Sequence, residues 1–116
     1  MSKVMVVDDD SMILRMASFI LKKGGHTACT AQSGEEALGK IGGEQPDAVF
    51  IDNEMPGMSG LQLLGELRSR DDLRAVKMCI MTGTLTDDIK DQASKLGAVG
   101  CIKKPINAAE MLELIG

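Results

Sequence analysis

Three short runs in this chain are wholly apolar: Val4–Val7, Ala48–Ile51 and Met78–Met81. Each follows a charged residue (Lys3, Asp47, Lys77) and runs straight into Asp8, Asp52 or Thr82. Runs this short, without polar alternation, are what strands buried on both faces require. Two weaker strands are predicted at His26–Ala31 and Ala98–Lys103. Between the strands the apolar spacing turns helical. Ile13, Met16, Ala17, Ile20 and Leu21 share one helical face, and Gly24-Gly25 supplies a stop. Ser33-x-x-Glu36 reads as a capping box for a helix with Ala37, Leu38 and Ile41 inward, ended by Gly42-Gly43. Leu61, Leu63, Leu64 and Leu67 make a third helix. Ile89, Ala93 and Leu96 make a fourth, stopped near Gly97. Asn107-x-x-Glu110 caps a fifth, with Met111, Leu112 and Ile115 inward. This βα repetition predicts an α/β fold, a parallel sheet with helices on both faces. It consumes residues 1–116 as one domain.

Composition narrows the function. Two Phe and no Trp or Tyr leave an aliphatic core filled out by nine Met, and no stacking platform for single-stranded nucleic acid. A formal charge of −4 speaks against direct nucleic-acid binding and is compatible with a divalent cation. Cys29, Cys79 and Cys101 form no C-x-x-C pair, and His26 is the only histidine, so neither a zinc site nor a disulfide framework is expected. Reduced thiols, no signal peptide and no apolar span predict a cytoplasmic protein off the membrane. His26 reads as a strand-edge polar residue. Met12, Met16, Met55 and Met58 read as packing.

In an open parallel sheet, ligands bind beyond the carboxyl ends of the strands. The residues there are Asp8 and Asp9, Asp52, Thr82 and Lys104. Each alone has a plain reading: a capped turn for Asp8, Asp9 and Asp10, loop punctuation for Asp52 before Pro56-Gly57, a strand residue for Thr82, and a solvated lysine for Lys104. Gathered at one rim, the carboxylates repel one another by roughly 4 kcal/mol per pair at about 4 Å and an effective dielectric near 20. A hard divalent cation, Mg²⁺, would relieve that.

Four segments, taken in order, resemble the receiver domain of bacterial two-component response regulators. They are Val6-Val7-Asp8-Asp9, Ile51-Asp52-Asn53-Glu54-Met55-Pro56-Gly57-Met58-Ser59-Gly60, Met81-Thr82-Gly83 and Lys103-Lys104-Pro105. The resemblance covers nearly the whole chain and implies a flavodoxin-like sheet in the order 2-1-3-4-5. It implies Asp52 as the phosphorylation site and nucleophile toward a phosphohistidine donor, Asp9, Asp52 and the backbone carbonyl of Glu54 as direct Mg²⁺ ligands, and Asp8 as holding the ion through a bound water. Thr82, Gly83 and Lys104 would bind the phosphoryl oxygens, with Gly83 leaving space. The adjacent Pro105 marks Lys104 rather than Lys103 as the site lysine, and the resemblance implies a cis peptide before Pro105 that helps aim Lys104 inward. The partners implied are a histidine kinase or histidine phosphotransfer domain and a downstream protein target, or a C-terminal effector removed from the chain.

The family usually carries an aromatic residue three positions before the lysine; here Cys101 stands there. The switch would then involve Thr82 and the packing of Cys101. Glu54 and Thr84, two residues beyond Asp52 and Thr82, are candidates for tuning phosphoryl lifetime. Two other readings stay open: a Mg²⁺-dependent hydrolase with an aspartyl-phosphate intermediate, and a degenerate receiver that acts as an interaction module without phosphate.

Overall fold

The computed structural model describes residues 2–116. Five strands and five helices alternate along it: β1 Lys3–Val7, α1 Ser11–Lys23, β2 Thr27–Ala31, α2 Gly34–Glu44, β3 Ala48–Asp52, α3 Gly60–Arg68, β4 Lys77–Thr82, α4 Asp87–Lys95, β5 Gly100–Lys103 and α5 Ala108–Ile115. A single 3-10 turn, Asp71–Leu73, precedes β4. The sheet is wholly parallel with strand order 2-1-3-4-5, as expected.

Alternation along each strand splits the core in two. Met5, Val7, Val49, Ile51, Met78 and Ile80 face α2, α3 and α4, where Ile41, Leu63, Leu67 and Ala93 meet them. Val4, Val6, Phe50, Cys79, Met81 and Ile102 face α1 and α5, where Leu14, Ala17, Leu21 and Met111 close the second layer. Both faces of the three central strands are therefore apolar, which is why their sequences show no alternation.

The helix ends refine the sequence reading. Asp10 caps α1 and accepts the Met12 N–H at 2.9 Å. Gly25 adopts φ +85 just beyond that helix. The box predicted at Ser33 is half formed: Ser33 accepts the Glu36 N–H, but the Glu36 carboxylate pairs with Lys40 at 3.0 Å. Helix α2 does not stop at Gly42-Gly43. It continues to Glu44 and ends on Gln45 in the left-handed region, because the Gln45 N–H still finds the Ile41 carbonyl. A complete capping box stands instead at Ser59 and Gln62.

Strands β2 and β5 are shorter than expected, starting at Thr27 and Gly100. Two methionines read as packing are on the surface: Met12 is 73% exposed and Met16 44% exposed on α1, joined by Phe19. The core-facing stripe of that helix is Leu14, Ala17 and Leu21, which fill the layer over β1 and β3 and turn Met16 outward. Met55 is buried, as expected. His26 accepts a hydrogen bond from the Ser2 N–H at 3.0 Å, in keeping with a strand-edge role. The thiols are free; Cys79 is buried, while Cys29 and Cys101 are half-buried.

Candidate functional site

Register brings the site together. Val7 pairs with Ile51 and Thr82 with Lys103, so β1, β3, β4 and β5 end at nearly the same height. The ladder runs one step further: Asn53 N–H donates to Met81 O, and Lys104 N–H to Thr82 O, each at 2.8 Å. Asp8, Asp52, Thr82 and Lys104 are therefore held by backbone pairing at one rim.

The carboxylates converge there. Asp8, Asp9 and Asp52 each place an oxygen within 4.8 Å of the others, with Asp8 and Asp52 buried and Asp9 exposed. Asp8 Oδ1 accepts the Asp10 N–H at 2.9 Å, which ties its orientation to the cap of α1. Asp52 Oδ1 accepts the Glu54 N–H at 3.2 Å. The Lys104 ammonium lies 2.8 Å from Asp8 Oδ2 and 3.0 Å from Asp52 Oδ1. Asp8 Oδ2 is buried and receives no well-directed hydrogen bond, so this ion pair is its only compensation.

Burial pushes the Asp52 carboxyl above the usual range. The Lys104 ammonium works against that rise and the Asp8 charge adds to it. For Lys104, burial acts to lower the pKa, but the Asp8 and Asp52 carboxylates outweigh it and the net direction is upward. One ammonium against three carboxylates leaves negative charge uncompensated. A compact set of oxygen donors with an excess of negative charge suits a hard divalent cation.

On the other side of Asp52, the exposed Glu54 side chain reaches back over the rim. Thr82 Oγ1 donates to Glu54 Oε2 at 2.5 Å, and the Gly83 N–H donates to Oε1 at 2.9 Å. The Thr84 N–H donates to Thr82 Oγ1 at 3.1 Å. The Thr84 carbonyl also lies 3.2 Å from that hydroxyl. A hydroxyl has one proton, and the shorter Glu54 contact takes it. A Cβ at Gly83 would meet nothing nearer than Glu54 Oε1 at 3.9 Å, so the position contributes its N–H rather than empty space.

The remaining predicted residues fall into place around this core. Lys103 points to solvent and Lys104 does not, and the Lys104–Pro105 peptide is cis. Thr84 is exposed beside the site. Cys101 pairs with Ile80, two residues below Thr82, and lines a cleft of about 260 Å³ with Lys90, Ala93 and Ala98 between β5 and α4. Burial raises the Cys101 thiol pKa.

Sequence reasoning missed one residue and one role. One is Gly60, where a Cβ would stand 2.5 Å from the Asp52 carbonyl oxygen. The other is Glu54 as the hydrogen-bond partner of both Thr82 and Gly83; its position two residues past Asp52 was the available signal.

The family profile described as "Response regulator receiver domain" matches residues 4–116. The chain is 35% identical over 112 residues to the DNA-binding transcriptional regulator NtrC of Salmonella typhimurium, covering 97% of this chain and 24% of that protein. It is 28% identical to sporulation initiation phosphotransferase F of Bacillus subtilis, covering 97% and 90% of the two chains. The structure of the chemotaxis response regulator CheY4 of Vibrio cholerae superposes with a TM-score of 0.91 at 28% identity, covering 100% and 99%. The chain thus spans less than half the length of several curated relatives it matches. Among the described residues no helix is long and apolar enough to cross a membrane.

Proposed function

The chain belongs to the response regulator receiver domain family, and from that premise we propose that Asp52 is its phosphoacceptor, served by Lys104, Thr82 and Gly83. The observation that carries this reading is the Lys104 ammonium set between Asp52 Oδ1 and Asp8 Oδ2 at 3.0 and 2.8 Å. An ammonium so placed orients the carboxylate and meets the charge of an incoming phosphoryl group. Receiver domains generally bind Mg²⁺ at an acidic pocket. Here Asp8, Asp9 and Asp52, with the Glu54 carbonyl, would hold it. Bound there, it would offset negative charge on the phosphoryl oxygens.

The donor is a phosphohistidine on a histidine kinase or phosphotransfer domain. An Asp52 carboxylate oxygen attacks phosphorus, the P–N bond breaks, and the imidazole nitrogen keeps the electron pair and takes up a proton. Asp52 becomes an acyl phosphate. Thr82 Oγ1 and the Gly83 N–H turn to its oxygens, and Lys104 stays paired with one of them. Attack of water on phosphorus returns the Asp52 carboxylate and inorganic phosphate. The protein thus catalyses only its own phosphorylation and dephosphorylation. Asp52 is 1% exposed, so a donor reaches it as the rim side chains shift.

Residues 1–116 are read as one receiver domain, working in the cytoplasm. The exposed stripe Met12, Met16 and Phe19 begins two residues beyond the Asp10 cap and extends the site along α1. We infer that a donor docks on this stripe, because an exposed apolar stripe beside the site favours an apolar partner face. The hydrolase alternative needs a free general acid beside Asp52, yet the Glu54 carboxylate is engaged by Thr82 and Gly83.

Intact-mass analysis after acetyl phosphate treatment tests the reading. One phosphoryl group should appear on wild type with Mg²⁺, and none without Mg²⁺ or on Asp52→Asn. Labelling of Asp52→Asn at wild-type level would overturn the assignment of Asp52. Absence of labelling under every condition would leave the phosphate-independent interaction module.

A further inference from the structure

Thr82 and Gly83 are the donors that would receive phosphoryl oxygens, yet both already hold an anion. The two oxygens of one carboxylate, Glu54, take the Thr82 hydroxyl at 2.5 Å and the Gly83 N–H at 2.9 Å. The root of that side chain is fixed at the acceptor itself, because the Glu54 N–H donates to Asp52 Oδ1. The other side of the Thr82 hydroxyl is satisfied by the Thr84 N–H, so its proton is committed to Glu54. Thr82 is fully buried while Glu54 is exposed, so the carboxylate can leave for water but the hydroxyl cannot.

We propose that the Glu54 carboxylate is a resident ligand of the phosphoryl-binding donors, held by Thr82 and Gly83 until a phosphoryl group on Asp52 displaces it. The inference rests on the reading of Asp52 as the phosphoacceptor and deepens it. The carboxylate presents two oxygens to a hydroxyl and an amide, as a phosphoryl group would, with charge-assisted hydrogen bonds. Phosphorylation is then an exchange of anions. A phosphoryl group must outcompete a tethered carboxylate, so its apparent affinity falls by the fraction of time the donors are free. The released Glu54 side chain, together with the loop that follows Thr82, is the part of the surface that changes. This device needs no aromatic residue at Cys101.

Fluoroberyllate with saturating Mg²⁺ serves as the phosphoryl probe, titrated into wild type, Glu54→Ala and Glu54→Gln while the Gly83 amide is followed by ¹H–¹⁵N NMR. The unloaded Gly83 signal should differ between wild type and Glu54→Ala, because the variant lacks the carboxylate acceptor. The two loaded signals should coincide. Fluoroberyllate should bind Glu54→Ala about tenfold or more tightly than wild type, with Glu54→Gln in between. Equal binding to wild type and Glu54→Ala would overturn the inference and leave the phosphoacceptor reading intact. Tighter binding with no difference in the unloaded Gly83 signal would reduce the effect to charge repulsion and also overturn it. Fluoroberyllate binding to none of the three proteins would remove the phosphoacceptor reading and this inference together.

Discussion

Lys104 reaches Asp52 across an intervening strand. The lysine follows β5 and the aspartate ends β3, with β4 between them, yet Nζ stands 3.0 Å from Oδ1. Two strand spacings are about 9.6 Å, within reach of an extended lysine stem. Two buried carboxylates, Asp8 and Asp52, thus share this one flexible cation. That arrangement is poor for stability and useful for chemistry.

Neutralising one of the sharing carboxylates should therefore stabilise the fold. Asp52→Asn is expected to raise the unfolding free energy by on the order of 1 kcal/mol without Mg²⁺, because the native state resists ionisation of this side chain. Added Mg²⁺ should raise the melting temperature of wild type more than that of the variant. Urea and thermal unfolding with and without Mg²⁺ measure both. A destabilised Asp52→Asn would mean that Lys104 fully compensates the two charges.

Gly60 is required by a close approach. A Cβ there would lie 2.5 Å from the Asp52 carbonyl oxygen and 2.7 Å from Asn53 Cα, both backbone atoms that cannot swing away. Gly60→Ala is expected to cost about 1–3 kcal/mol and to slow labelling by acetyl phosphate, because the end of β3 must shift. Gly65→Ala is the control. Its Cβ would meet only Leu96 Cδ2 at 3.8 Å, and mid-helix alanine should stabilise by roughly 0.5–1 kcal/mol. Denaturation midpoints of the two variants should move in opposite directions.

Replacing Met12 and Phe19 together by Ser separates donor docking from chemistry. Both side chains are exposed, at 73% and 64%, so stability should change by less than about 0.5 kcal/mol. Phosphotransfer from a phosphohistidine protein should slow at least several-fold, while labelling by acetyl phosphate stays unchanged. Equal slowing with both donors would place the stripe in the chemistry rather than the docking.

Cys79 predicts an alkaline signature. Burial pushes its thiol from 9.0 up to about 12, so above pH 9 the unfolded chain releases a proton that the folded chain keeps. Folding stability should then fall as pH rises from about 9 towards 12, by up to roughly 1.4 kcal/mol per pH unit from this group. Cys79→Ala should flatten that slope. Unfolding free energies at pH 8, 9 and 10 test it, and identical slopes for the two proteins would reject the assignment.

Much of the fold was legible because burial writes itself into composition. Strands covered on both faces must be continuously apolar, so Val4–Val7, Ala48–Ile51 and Met78–Met81 announced themselves. Asp8, Asp52 and Thr82 were marked by being the polar residues that end those runs. Less of the helix boundaries was legible. Gly42-Gly43 looked like a stop, but the helix carries on because Gln45 can still donate to Ile41. Met16 matched the inward spacing of α1, yet Leu14, Ala17 and Leu21 already fill that face.

The sequence by itself determined which residues line the strand ends, since each follows directly from where an apolar run stops. It also made Asp8, Asp9, Asp52, Thr82 and Lys104 candidates, through their resemblance to receiver domains. Only the tertiary structure decided how those groups share their charges: that one ammonium serves Asp8 and Asp52, and that Glu54 holds Thr82 and Gly83. Hydrogen bonds and ion pairs depend on distances of a few tenths of an ångström between segments far apart in the chain. Strand register sets those distances, and no local spacing of residues encodes them.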